Sequence, residues 1–124
     1  MTRPREAYLE DLKALRVIYA AELPAKVEAI AEAAAAALAE WDDAHLEVLY
    51  HLVHRLVGSA AIYGFAAVSQ STAALETFVI AAREGRQPPP ARREAELRAL
   101  LDAIKAAVES GKAHHATGER PPGR

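Results

Sequence analysis

The sequence predicts an all-α protein, an antiparallel up-down four-helix bundle whose long first helix is kinked at a proline. Three observations carry this reading. Thirty of the 124 residues are Ala while only two are Phe and one is Trp. Apolar residues recur every three or four positions through four segments, and brief runs containing Gly, Asp or Pro separate those segments. Alanine is the strongest helix former and the β-favouring aromatics are scarce, so intrinsic propensity leans to helix. A chain of this length removes roughly 65% of its unfolded surface from water on folding, enough for one domain with its own core.

The first segment places Leu12, Leu15, Tyr19, Leu23, Val27, Ile30, Ala34, Ala37 and Trp41 on one stripe, after a frayed start over residues 1–5. Pro24 lies in its middle, yet the stripe keeps phase across it and no Ser, Thr, Asp or Asn precedes it as a new cap, which predicts one helix bent at the proline. Asp42 and Asp43 are N-cap candidates for a second helix with Leu46, Leu49, Val53, Leu56 and Ala60 inward, continuing to Tyr63 and ending at Gly64. A third helix runs from Phe65 to about Glu84, with Val68, Leu75, Val79 and Ala82 inward and Gly85 at its end. Pro88 to Pro90 then impose an extended connection. The fourth helix is expected from about Ala91 to Ser110, with Leu97, Leu100, Leu101, Ile104 and Val108 inward and Gly111 as its stop. Residues 1–111 thus form the bundle, and 112–124, with no apolar stripe, are expected to be a disordered tail in which His114 and His115 are solvated. Short loops bring each helix back beside the last, which makes the bundle antiparallel.

Composition removes several classes of function. Without cysteine there is no disulfide scaffold, thiolate zinc site, iron–sulfur cluster or cysteine nucleophile. Fifteen basic against seventeen acidic side chains give a net charge of -2, with no footprint for sequence-independent nucleic-acid binding. The longest apolar run, Ala33 to Ala39, falls far short of the roughly 20 residues of a membrane span, and the N-terminus has no signal-peptide core. A cytoplasmic monomer with neither nucleic-acid nor membrane partner is expected. His51 and Glu47 sit one turn apart on the second helix, but a di-iron bundle needs Glu-x-x-His on two helices, so neither a metal nor a cofactor is expected.

His54 is where chemistry concentrates. It lies about 100° round the second helix from the core residue Val53, on the flank of the stripe and within reach of solvent. Gly58 follows one turn later on the same face, inside a helix where glycine costs about 1 kcal/mol relative to alanine. A missing side chain beside an exposed imidazole leaves room for another protein or a bulky anion. Ser59, Ala60 and Ala61 keep the next turn small as well.

The stretch His54-Arg55-Leu56-Val57-Gly58-Ser59-Ala60-Ala61-Ile62-Tyr63-Gly64, with Phe65 and the pair Leu75-Glu76 in the next helix, resembles the histidine phosphotransfer (HPt) domain. That family has a phosphorylated histidine followed by an apolar residue, a lysine, a glycine, small residues and a second glycine. The resemblance implies a four-helix bundle in a two-component phosphorelay, with His54 receiving a phosphoryl group from one receiver-domain aspartate and passing it to another. It implies that Glu76 engages Nδ1 and leaves Nε2 as the nucleophile, that Gly58, His51 and Ala61 belong to the surface on which a receiver or a hybrid histidine kinase docks, and that the chain is a carrier whose partner supplies the catalysis. Val57 stands where the family has lysine, which leaves Arg55, the one Lys or Arg within four positions of His54, as the supporting cation expected for the phosphoryl group. This departure leaves a second reading open, an adaptor that keeps the docking surface and does not transfer.

Overall fold

The computed structural model of the chain describes residues 5–117, with side chains as far as Gly111. Its four helices are α1 (Arg5–Ala39), α2 (Asp43–Ile62), α3 (Ala66–Arg83) and α4 (Pro90–Thr117), with no strand among the described residues. α1 packs on α2 and α4, and α3 packs on α2 and α4, so the elements close into the antiparallel ring that short connections dictate.

α1 is continuous across Pro24, and Tyr19, Leu23, Val27, Ile30, Ala34 and Ala37 form one buried stripe through it. At 1.5 Å per residue α1 is about 52 Å long against about 30 Å for α2. Tyr19 already meets the far end of α2, its ring stacked on Tyr63 with centroids 4.5 Å apart and its hydroxyl 2.5 Å from Ser59 Oγ. The turns before Tyr19 therefore run past the α2–α3 connection. This corrects the expectation for Leu15, which is 47% exposed although its register is that of the core. Burial of the Tyr19 ring pushes its phenol pKa up, with Ser59 pulling in the opposite direction.

Local chemistry explains the other boundaries. Asp42 is the N-cap of α2, accepting from His45 N–H at 2.9 Å and meeting His45 Nδ1 at 2.7 Å. These bonds, the backbone one foremost, hold its carboxyl below the ordinary aspartate range. Gly64 and Gly85 adopt φ of +86° and +81° after α2 and α3, where Phe65 N–H reaches back to Ala60 O and Arg86 N–H to Ala81 O. Pro90 is not part of the extended connection as expected but the first residue of α4, a position where a missing N–H costs nothing.

The fourth helix also differs at its other end. It does not stop at Gly111 but continues to Thr117, so the first part of the expected tail is helical and residues 118–124 lie outside the described residues, as do 1–4. Gly111 is not a left-handed cap. A Cβ there would stand 3.0 Å from Phe65 Cδ1, so this glycine permits a close approach of α4 to a buried aromatic.

Candidate functional site

The α2–α3 hairpin builds the site. Ser69 donates its hydroxyl to Val57 O at 2.8 Å, a tie between the two helices that holds their register. In that register His54 on α2 faces Glu76 on α3, with Nδ1 and Oε2 2.6 Å apart. His54 is 60% exposed at its side chain and Glu76 only 18%. A half-sunk carboxylate thus holds one nitrogen of an outward-lying imidazole. In the neutral ring with Nδ1–H donating to Glu76, the lone pair is on Nε2.

One turn earlier on α2, the Tyr50 ring stacks on His54 with centroids 5.4 Å apart and planes 17° from parallel. Arg83, at the end of α3, places its guanidinium carbon 4.4 Å from the Tyr50 centroid and its Nη2 2.6 Å from Glu47 Oε1. The other oxygen of Glu47 meets His51 Nε2 at 2.7 Å. Glu47 and His51 do come together, then, with Arg83 as third member of the group. Glu40, Asp42 and His45 bring one ligand atom each within 4.8 Å at the α1–α2 turn, where their contacts are those of the helix cap.

The surface around His54 is low. Gly58 has nothing within 4 Å of where a Cβ would be, and Ala61 and His51 are exposed on the same face. Ile62, 77% exposed, lies at the end of α2 one heptad after Arg55. Arg55 takes the opposite flank. It lines a groove of about 570 Å³ between α1 and α2 with Ala25, Lys26, Ala29, Leu52, Leu56 and Ser59. His54 and Arg55 are adjacent in the chain but serve different sides of α2.

Compared with known families, residues 14–107 match the Hpt domain. The chain belongs to the Hpt domain family. No curated protein and no solved structure matches it. Membership gives the chain a histidine phosphotransfer role in two-component signalling, as a phosphocarrier that works with receiver and kinase domains. The helical bundle agrees with that family, and no helix among the described residues is long and apolar enough to cross a membrane.

Sequence reasoning about this Hpt domain did not single out Tyr50 or Arg83. A signal for both existed. Tyr50 precedes His54 by one helical turn, and Glu47 lies seven residues before His54 as Arg83 lies seven after Glu76. An antiparallel hairpin that pairs His54 with Glu76 therefore also pairs Glu47 with Arg83.

Proposed function

We propose that His54 is the phosphoacceptor of this Hpt domain and carries a phosphoryl group between receiver-domain aspartates, with the chain acting as a cytoplasmic monomer. The observation that supports it most is the 2.6 Å contact between His54 Nδ1 and Glu76 on an otherwise exposed ring. The Nε2 lone pair forms a bond to phosphorus as the bond from phosphorus to the aspartyl oxygen breaks, and the carboxylate leaves with that electron pair. The ring, substituted at Nε2 and protonated at Nδ1, then carries a positive charge that faces the Glu76 carboxylate. Return of the phosphoryl to a second aspartate is the reverse step. Gly58, Ala61 and His51 form the docking surface, where the absent side chain at Gly58 lets a receiver bring its acceptor up to the imidazole.

Incubation with phosphorylated receiver domains tests this. Acid-labile, base-stable phosphate should appear on the chain, His54→Gln should abolish it, and His51→Ala should leave most of it. Equal loss from both variants would undo the assignment. Val57 in place of a lysine favours the second reading, an adaptor that binds receivers without transfer, and stable receiver binding with no labelling would establish that reading instead.

A further inference from the structure

Glu76 holds the imidazole at one atom, and Val57 stands on α2 where the family pattern has a lysine for the group the ring would carry. Pinned only at Nδ1, a ring can still swing, and Nε2 with it. Stacking on Tyr50 removes that freedom, because the two near-parallel faces set the plane while Glu76 sets the in-plane orientation.

The charge problem has an answer on the same flank. A phosphohistidine brings close to two negative charges. Arg83 lies over the ring on which His54 stacks, so its guanidinium carbon is within about 10 Å of the imidazole centroid, about one Debye length at 0.1 M salt. Glu47 holds it there by one nitrogen. A guanidinium keeps its charge whatever it pairs with, so Arg83 can hold Glu47 and still favour a phosphoryl group on His54 through space. Arg55, by contrast, faces the α1–α2 groove beside Lys26.

We propose that Tyr50 and Arg83 complete the phosphohistidine site: Tyr50 is a positioning residue that fixes the plane of His54, and Arg83 is the cation for the phosphoryl group that Val57 cannot provide. This rests on His54 being the phosphoacceptor, and the experiment keeps the two claims apart by using a donor that needs no partner protein. With phosphoramidate, Nε2 bonds to phosphorus as the phosphorus–nitrogen bond breaks and ammonia leaves. Phosphohistidine lifetime is then followed by phosphorus NMR, and the His54 ring-proton shifts are read in the unphosphorylated protein.

Arg83→Gln should shorten the lifetime about two- to fivefold, the size expected of an exposed charge pair. Arg83→Lys should keep part of it, added salt should narrow the gap to wild type, and Val57→Lys placed in the Arg83→Gln protein should restore it. Arg55→Gln should change nothing. Tyr50→Phe should preserve the ring-current shifts of His54 while Tyr50→Ala moves them toward those of a free imidazole. A wild-type lifetime in Arg83→Gln, an equal or larger loss in Arg55→Gln, or unmoved His54 shifts in Tyr50→Ala would overturn the proposal. Receivers that fail to exchange phosphoryl with a His54 labelled by phosphoramidate would sink the carrier reading and leave this one standing, whereas no labelling of His54 at all would overturn both.

Discussion

The two flanks of α2 carry similar side chains to opposite ends. On the side of α3, His54, Tyr50 and Glu47 each have a partner across the hairpin or along the helix, and Arg83 is drawn into the group. Toward α1, Arg55 and Lys26 line a groove with Ala25, Ala29, Leu52, Leu56 and Ser59, and Lys26 lies near Glu22 and over the Tyr19 ring. A basic residue next to the histidine in sequence thus lines the groove on the α1 side, while one 29 positions away shares its aromatic neighbour. Nearness along a helix is a rotation of about 100° per residue, and rotation decides which neighbouring helix a side chain meets.

The largest expected effect is steric and lies at Gly58. Gly58→Glu should block transfer from a receiver while leaving the bundle folded, since among the described residues nothing beyond the adjoining backbone of α2 lies within 4 Å of the new Cβ. Its melting temperature should rise by about 4 °C or less, the equivalent of the roughly 1 kcal/mol that glycine costs inside a helix. Transfer at the normal rate would make Gly58 a packing residue. Gly111→Ala is the counterpart, because its Cβ would press on the buried Phe65, which is itself tilted against Tyr19. That variant should lose about 1 kcal/mol in denaturant unfolding despite the better helix propensity of alanine.

Smaller, and confined to the α3 flank, is the effect of removing the charge of Glu76. Glu76→Gln keeps an amide near Nδ1 but no longer faces the cationic phosphorylated ring with a carboxylate, and the transfer rate should fall about tenfold. Circular dichroism should not change, since the Gln side chain occupies the same half-buried space. A rate equal to wild type would mean that the 2.6 Å contact orients nothing.

Val57→Lys in the wild-type background should raise phosphoryl retention by no more than about 1 kcal/mol in equivalent terms, as an exposed cation in water is worth little. A much larger gain would show that the α3 flank lacks a cation of its own and would count against Arg83.

The smallest effect lies away from both flanks, at the cap of α2. The carboxyl of Asp42 is held below its ordinary range in the folded state. A group of lowered folded pKa contributes stability that is fully present above its unfolded value and is lost as pH falls through the folded one. Thermal melts from neutral to acid pH should therefore show Asp42→Asn matching wild type at acid pH, where both caps are neutral, and falling slightly below it at neutral pH. A difference that persists unchanged into acid would assign the cap to hydrogen bonding alone.

Most of the bundle could be read from periodicity. The stripes of α2 and α3 are buried at every position the pattern placed inward apart from Tyr63, which is half-buried, because both helices are flanked along their whole length. Leu15 obeys the same pattern and is exposed, since periodicity reports a face and not whether another helix reaches it. Gly111 shows a second limit. A glycine near the end of an apolar stripe has the form of a stop signal, and only the proximity of Phe65, 46 residues earlier, reveals it as a contact. Thr72 is a third case: a polar residue lies fully buried because its hydroxyl bonds to Val68 O at 2.6 Å within its own turn.

By itself the sequence determined the helical class, the four segments, the family, and the choice of His54 with Gly58 and Glu76 as the residues to watch. Each of these depends on local propensity, on spacing along one helix, or on a motif of contiguous residues. The tertiary structure decided that Tyr50 stacks on the imidazole, that Arg83 lies over Tyr50 and meets Glu47, that Arg55 lines the α1–α2 groove, and that α1 runs past the α2–α3 connection. Those outcomes depend on the register and rotation of one helix against another. That is set by the packing of the whole core and by ties such as Ser69 to Val57, which no single segment contains.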